Sequence, residues 1–336
     1  MKKIKYLLAC FSVFILPGCY QSRPSQSEFI LNTVCTITLY DRGKPGIYRE
    51  IFTRLKEIEN RMSVFSIDGD LDRINKAAGN HPINVSADVF KVIEKAVYYA
   101  EISEGAFDPT IAPVVALWGM GGENPKVPAR EEIERVLPLV DWRCIELDRV
   151  NKTVFLMNPG MALDLGGIAK GYAADEAADI IRKAGIPRAI IDLGGNILTV
   201  GQKKDKSLWK IGLQNPLDDR GAYIGIVQVK EKTVVTSGVY ERFFTENGVQ
   251  YHHLFSPDNG YPVRNDLLSV SIITDLSMHG DALSTASFIL GYDKGRALIE
   301  SLEGVMGVFV FEDKTIRLTR GVDFILSDTS YRIADD

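Results

Sequence analysis

The sequence predicts an α+β fold with a substantial antiparallel sheet, and three observations carry the prediction. Apolar residues recur at helical spacing in several separated segments of the first two thirds. The last third is a succession of short apolar runs bounded by Gly, Asn, Asp and Pro, interrupted by only two helical stretches. No internal repeat, low-complexity run or clear linker follows residue 28, so these elements belong to one unit of two interleaved lobes.

In chain order, "FILNTVCTITLYD" reads as one strand. "YREIFTRLKEIENRMS" places Ile51, Phe52, Leu55, Ile58 and Met62 on one helical face. "SADVFKVIEKAVYYAEIS" is a second amphipathic helix with Ser86 as its N-cap, and "AREEIERVLPLV" a third, short one. "CIELDRVNKTVFLMNPGMALDLG" reads as a hairpin turning near Asn151, followed by a further strand carrying Asp164. A helix then starts near Ile168, and "RAIIDLGGNILTVG" is a strand ending in a glycine pair. Strands follow in "WKIGLQNP", "YIGIVQVK", "KTVVTSG", "QYHHLFS", "LLSVSIIT", "VMGVFVFE" and "TIRLTR". The helix "DALSTASFILG" and the segment "DKGRALIESLEG" lie between "LLSVSIIT" and "VMGVFVFE".

The chain of 336 residues, 46% hydrophobic and 25% charged, is long enough to bury a large core. Its formal charge of -5 argues against a nucleic-acid binder, which would show a basic stripe. A net negative protein that bound a diphosphate would need a cation to offset the charge.

The first residues form an address. "MKKIKYLLACFSVFILPGC" has a lysine-rich start and an apolar run from Tyr6 to Leu16, too short to span a bilayer, which is the plan of a secretory signal peptide over residues 1–18. Leu16-Pro17-Gly18-Cys19 resembles a bacterial lipobox, which predicts lipidation of Cys19 and anchoring on the extracytoplasmic side of a membrane. Residues 19–28 read as the anchor and its tether, and 29–336 as the folded domain. Cys35 and Cys144 lack CxxC spacing and could pair in an oxidising compartment or stay as thiols; their apolar surroundings favour two buried thiols.

Phosphate-loop, dinucleotide GxGxxG and HExxH patterns are absent from the sequence, and its four histidines do not suggest a zinc site. Polar turns punctuate the apolar strands instead. In "DLGGIAKG", Gly166 and Gly167 let the main chain approach a ligand, and the following helix would aim free N–H groups at an anion. Lys170 lies in that helix's first turn, where the dipole disfavours a cation unless it meets a phosphate. A plain strand-to-helix turn with a solvated lysine fits the same residues. In "HGDALSTASFILG", Asp281, Ser284 and Thr285 cluster at a helix start, either as caps or as oxygen ligands for Mg2+ or Ca2+. "TSGVYERFF" ends a strand at Ser237-Gly238. In "YHHLFSPDNGYPV" the strand alternation sends His252 and His253 to opposite faces, so one of them at most belongs in a site.

Six ordered motifs carry a resemblance: "GAFDPTIAPVVALWG", "LDLGGIAKGYAAD", "IIDLGGNI", "SGVYER", "HHLFSPDNGYPV" and "DALSTASFILG". Their order over residues 29 to 325 is similar to that of the ApbE family of flavin transferases. The resemblance implies an ApbE-like, T-fold-related domain that splits FAD at its diphosphate and passes FMN to a threonine hydroxyl, releasing AMP with the help of Mg2+. It implies metal ligation by Asp281, Thr285, the main chain of Gly167 and Ser284, the last standing where some members have an acidic residue. It implies flavin-nucleotide contacts at Ala106, Phe107, Asp108, Asp164, Lys170 and Phe255, and at Phe65, where many members have tyrosine. His253 matches the histidine that would activate the acceptor hydroxyl, although Ser256 replaces the usual neighbouring aspartate. The implied partners are FAD, a flavoprotein acceptor such as a redox-pump subunit, and a membrane reached through a palmitate-bearing Cys19. Hydrolysis of FAD to FMN and AMP, or flavin binding without chemistry, would use nearly the same residues.

Overall fold

The computed structural model describes residues 25–334 except Arg42, Glu123 and Arg220. The signal segment, the lipobox and Cys19 lie outside the described residues. The chain is already paired at β1 (Ser25–Ile30), with Ser25 opposite Thr38 of β2 (Thr33–Leu39). Strand pairing therefore already includes residues 25–28, which lie before the boundary expected at residue 29. The single strand expected over residues 29–41 is a hairpin. Leu31 and Asn32 adopt φ of 56° and 55°, the mirror-image turn whose twist matches its flanking strands.

Helix α1 (Ile47–Met62) buries the apolar face read from its spacing, from Ile47 to Met62. A short α2 (Asp70–Lys76) and β3 (Ile83–Asn84) precede α3 (Ala87–Ile102), where Ser86 Oγ accepts the Val89 amide as the expected cap. Helices α4 (Ala112–Trp118) and α5 (Arg130–Val136) follow, the second tightening into a 3-10 turn at Leu137–Leu139. Strands β4 (Ile145–Asp148) and β5 (Thr153–Leu156) form the expected hairpin around Asn151.

No strand forms over residues 161–165. Met161, Leu163 and Leu165 are buried, yet their backbone finds partners outside any ladder. Leu163 donates to Asn75 Oδ1 at 2.7 Å, Asn75 Nδ2 returns a bond to the Leu163 carbonyl, and Asp164 donates to the Pro109 carbonyl at 2.8 Å. Buried backbone needs partners of some kind, and side chains and loops serve here as well as a strand would.

Helix α6 (Ala169–Lys183) starts where its glycines predicted. The chain then runs through β6 (Ala189–Leu193), β7 (Asn196–Val200), β8 (Trp209–Gln214), β9 (Tyr223–Val229), β10 (Thr233–Gly238), β11 (Phe243–Glu246), β12 (Val249–His252) and β13 (Leu267–Thr274). Helices α7 (Ser277–Leu290) and α8 (Tyr292–Glu300) precede β14 (Met306–Phe311), β15 (Thr315–Leu318), β16 (Phe324–Leu326) and β17 (Arg332–Ile333).

Among the described residues a nine-stranded sheet runs β1-β2-β6-β7-β10-β13-β14-β15-β17, antiparallel except at β15–β17. Helices α6 and α7 pack on it, α7 against β10 and β13, and α1 packs on α6. The small sheet β16-β9-β8 contributes Trp209, Ile211 and Val227 to a second core with Val234, Ile273 and Val310 of the large sheet. β13 is consequently buried along all eight residues, as a strand covered on both faces must be. Across the helical layer, Arg54 of α1 pairs with Asp88 of α3 at 2.8 Å and Glu176 of α6 at 2.9 Å, and Tyr172 donates to Asp88.

Both described cysteines are free. Cys35 is buried, and burial pushes its thiol up to about 12. Cys144 departs from the expected burial: it is half-exposed, near Asp141 Oδ2 and Asn158.

Candidate active site

A cavity of about 520 Å³ opens between the helical layer, the β1–β2 turn and the β11–β12 hairpin. Phe65, Ala106, Phe107, Asp108, Asp164, Gly167, Lys170, His253, Phe255, Asp281 and Thr285 all contribute to its wall. The tertiary fold thus gathers residues scattered over more than two hundred positions of sequence.

The floor is the crossing of α6 and α7. Asp164 Oδ1 accepts the Gly166 amide at 2.7 Å, which folds the chain back before α6. Gly167 then lies against α7: a Cβ there would stand 3.4 Å from Thr285 Oγ1 and 3.1 Å from the Phe107 ring. Gly171 permits the crossing itself, because a Cβ would fall 2.3 Å from the Ser277 carbonyl oxygen and 2.6 Å from Met278 Cα. Its amide donates to Asp281 Oδ2 at 2.8 Å. An N–H at the start of α6 does meet an anion, as expected, but the anion is a carboxylate of the protein.

Asp281 is buried and stands in the second turn of α7, which begins at Ser277, one turn before the helix start inferred from sequence. Its Oδ1 faces Lys170 Nζ at 3.5 Å, and the same ammonium donates to the Gly166 carbonyl at 3.0 Å. Ser284 is not brought to the cavity. It is fully buried, donating to the Asp281 carbonyl at 2.9 Å and sharing a bond with Ser237 Oγ, since a helical serine readily folds back on its own preceding turn. Ser237, at the end of β10, lines the wall instead, with Oγ 3.3 Å from Thr285 Oγ1. Sequence reading singled out its turn but assigned it no role.

The oxygen set at this floor is one carboxylate, the Thr285 and Ser237 hydroxyls, and glycine main chain with no Cβ to fill the space between. Such donors suit a hard cation of the Mg2+ class. Among the described residues no group of three or more His, Cys, Asp and Glu side chains comes together, so a cation at this floor would rest on one carboxylate, hydroxyls and main-chain oxygens.

The walls divide by role. Asp108 is buried and accepts the Thr110 amide, the Thr110 hydroxyl and the Trp142 amide, at 2.8, 2.6 and 3.1 Å. Burial pushes its carboxyl above the usual range despite these bonds. Its main visible work is to hold the segment carrying Ala106 and Phe107. Phe255 is buried against Trp118 at a ring separation of 5.5 Å, so it presents an apolar wall backed by a small third core. Phe65 stands at the mouth with 64% of its surface exposed.

The two histidines separate as the alternation requires. His252 is buried: Nε2 donates to the Val263 carbonyl at 3.0 Å, Nδ1 accepts the Leu254 amide, and burial lowers its pKa to about 4. His253 faces the cavity, and its Nδ1 lies 3.2 Å from the Arg242 carbonyl. A carbonyl only accepts, so Nδ1 carries the proton and Nε2 keeps a free lone pair. Desolvation, reinforced by Arg242, His252 and Lys170, pushes its pKa down to about 3. The group orienting this ring is thus a main-chain carbonyl. Ser256, at the position of the usual aspartate, instead accepts the Asp258 amide and closes the following turn.

Sequence reading did not foresee the β1–β2 turn, Leu31 to Thr33, in the wall; Asn32 inside an apolar alternation was the available sign.

The chain matches the model of the ApbE family over residues 31–310. It is 35% identical over 315 residues to an FAD:protein FMN transferase of Treponema pallidum, covering 89% of this chain and 87% of that one. It is 36% identical over 313 residues to an FAD:protein FMN transferase of Klebsiella pneumoniae, covering 93% and 97%. The fold superposes on the crystal structure of an ApbE protein from Thermotoga maritima with a TM-score of 0.80 and 33% identity, over 91% of this chain and 97% of that one. The flavin transferase ApbE of Vibrio cholerae superposes with a TM-score of 0.76 and 27% identity, over 91% and 97%.

Proposed function

Since this chain belongs to the ApbE family and is a flavin transferase, we propose that it moves FMN from FAD to a threonine hydroxyl of an acceptor flavoprotein and releases AMP. The observation that supports this most is the meeting, in one cavity, of a neutral imidazole with a free Nε2 and a floor of hard oxygen donors beside an ammonium. In this reading the threonine oxygen forms a bond to the FMN phosphorus, the bond from that phosphorus to the AMP oxygen breaks, and the threonine proton passes to His253 Nε2.

Asp281, Thr285 and the main chain of Gly167 would hold Mg2+, with the Ser237 hydroxyl next to them. The cation would neutralise diphosphate charge. Lys170, in the wall beside Asp281, would meet the same phosphates, and Asp164 keeps the 166–167 bend in shape. Phe65 and Phe255 would bound the flavin nucleotide by ring stacking and apolar contact.

Mass spectrometry of a candidate acceptor after incubation with FAD and Mg2+ tests the reading. The expected result is a mass gain on a threonine equal to FMN less one water, with stoichiometric AMP. Release of free FMN at the same rate without acceptor would replace transfer by hydrolysis. Anchoring through Cys19 belongs to the same proposal: Cys19→Ala is expected to move the protein from the membrane fraction to the soluble one.

A further inference from the structure

The start of α7 is capped from a different helix. Asp175, in the second turn of α6, accepts the Ser277 amide at 2.8 Å and the Met278 amide at 2.9 Å, one on each carboxylate oxygen. The position that would ordinarily cap α7 is Leu276, which offers no side-chain acceptor. One turn further on the relation reverses, and Asp281 of α7 accepts the Gly171 amide of α6. The two helices cap each other across their crossing, with the bare Gly171 between them. Ser277 Oγ also bonds Thr233 Oγ1 at 3.0 Å and donates to Asn196 Oδ1, which ties the same point of α7 to β10 and β7.

These bonds fix how far α7 slides along α6. That register matters because the oxygen set of the floor is split: Asp281 and Thr285 belong to α7, while the Gly167 main chain belongs to the α6 entry, with the Lys170 ammonium beside it. Asp175 does not line the cavity. We propose that Asp175 is a positioning residue that sets the affinity of the floor for its divalent cation by holding α7 in register with α6. This inference rests on the reading of Asp281 and Thr285 as cation ligands given above.

Mn2+, a paramagnetic substitute for Mg2+, reports binding without turnover. Titration of the full-length protein in detergent, followed by the electron paramagnetic resonance signal of free Mn2+, is expected to show a Kd raised roughly tenfold by Asp175→Asn, the scale on which partners of metal ligands act. FAD affinity measured in EDTA by flavin fluorescence is expected to stay unchanged. Asp88→Asn, which cuts the Arg54 network on the far side of α6, is the stability control: its Tm falls while its Mn2+ Kd holds. If Asp175→Asn does not fold, Asp175→Glu keeps the charge and carries the test, with about a threefold rise expected. An unchanged Kd in the Asp175 variant, or an equal rise in Asp88→Asn, overturns the inference. A wild-type protein that binds no Mn2+ overturns the cation reading itself, and this inference with it.

Discussion

The floor and the mouth of the cavity are built on opposite principles. At the floor, Asp281 is buried and its carboxylate has protein partners, and Gly171 allows an approach that no other residue would permit. At the mouth, Phe65 is 64% exposed, and Arg242 is exposed as well. Dense, fully partnered polar groups in a low-dielectric setting hold one geometry, which is what charge stabilisation needs. An open apolar edge holds none, and so can admit both a flavin and a protein acceptor. The contrast teaches where substitution will be felt as chemistry, where as folding, and where only as affinity.

The largest expected effect lies at the floor. Asp281→Ala removes a carboxylate that accepts the Gly171 amide and faces Lys170. FMN transfer is expected to fall by at least about a hundredfold, and added Mg2+ should not restore it. Recovery of more than a tenth of wild-type turnover at high Mg2+ would show that the floor does not depend on this carboxylate.

His253→Gln, midway between the two regions, is expected to lower kcat by about 10²–10³-fold with little change in KM for FAD. The same residue sharpens the contrast through pH. Desolvation by the cavity walls, with the nearby Arg242 and Lys170 charges, lowers the His253 pKa to about 3, so the free enzyme already carries the neutral ring at neutral pH. A profile of kcat/KM is expected to stay flat from pH 8 down to about 5 on account of this group. An acidic limb with its midpoint near 6.5, lost in His253→Gln, would mean that the imidazole is solvated. For stability the sign is the same at His252 and His253. Both are depressed in the folded state, so the unfolded chain takes up protons first as the pH falls below about 6.5. Their contribution is present above that value and lost towards pH 4, which urea denaturation at pH 7 and pH 5 would measure.

Gly171→Ala separates folding from chemistry at the floor. The added methyl meets backbone atoms of α7 that have no room to yield, so a loss of about 1–3 kcal/mol is expected in urea denaturation. An unchanged midpoint would mean that the α6–α7 crossing is looser than its distances imply. The smallest effect belongs to the mouth. Phe65→Ala is expected to change stability by less than about 0.5 kcal/mol, because an exposed ring has little packing to lose. It should nonetheless raise KM for FAD severalfold, and Phe65→Tyr should not. A large fall in Tm for Phe65→Ala would erase the distinction between the regions.

Much of this molecule was legible along the chain because its signals are local. The apolar face of α1, the Ser86 cap of α3, the turn at Asn151 and the glycines opening α6 each depend on neighbours a few residues away. The alternation at His252 and His253 sorted one packed ring from one cavity ring for the same reason. The misreadings share a different cause. Residues 161–165 look like a strand but find their partners in Asn75 and Pro109. Asp281 looks like a cap because the true cap, Asp175, stands more than a hundred residues away. Ser284 looks like a ligand because nothing nearby shows that its hydroxyl returns to its own helix and to Ser237.

By itself, then, the sequence determined the kind of elements, the order of the motifs, the family those motifs belong to and the residues that could carry charge or coordinate oxygen. Only the tertiary structure decided which of them face one another. Periodicity and capping act over a turn or two of chain. The register of α7 on α6 is instead set by hydrogen bonds and steric exclusion between segments distant in sequence, which leave no periodic trace in either segment alone.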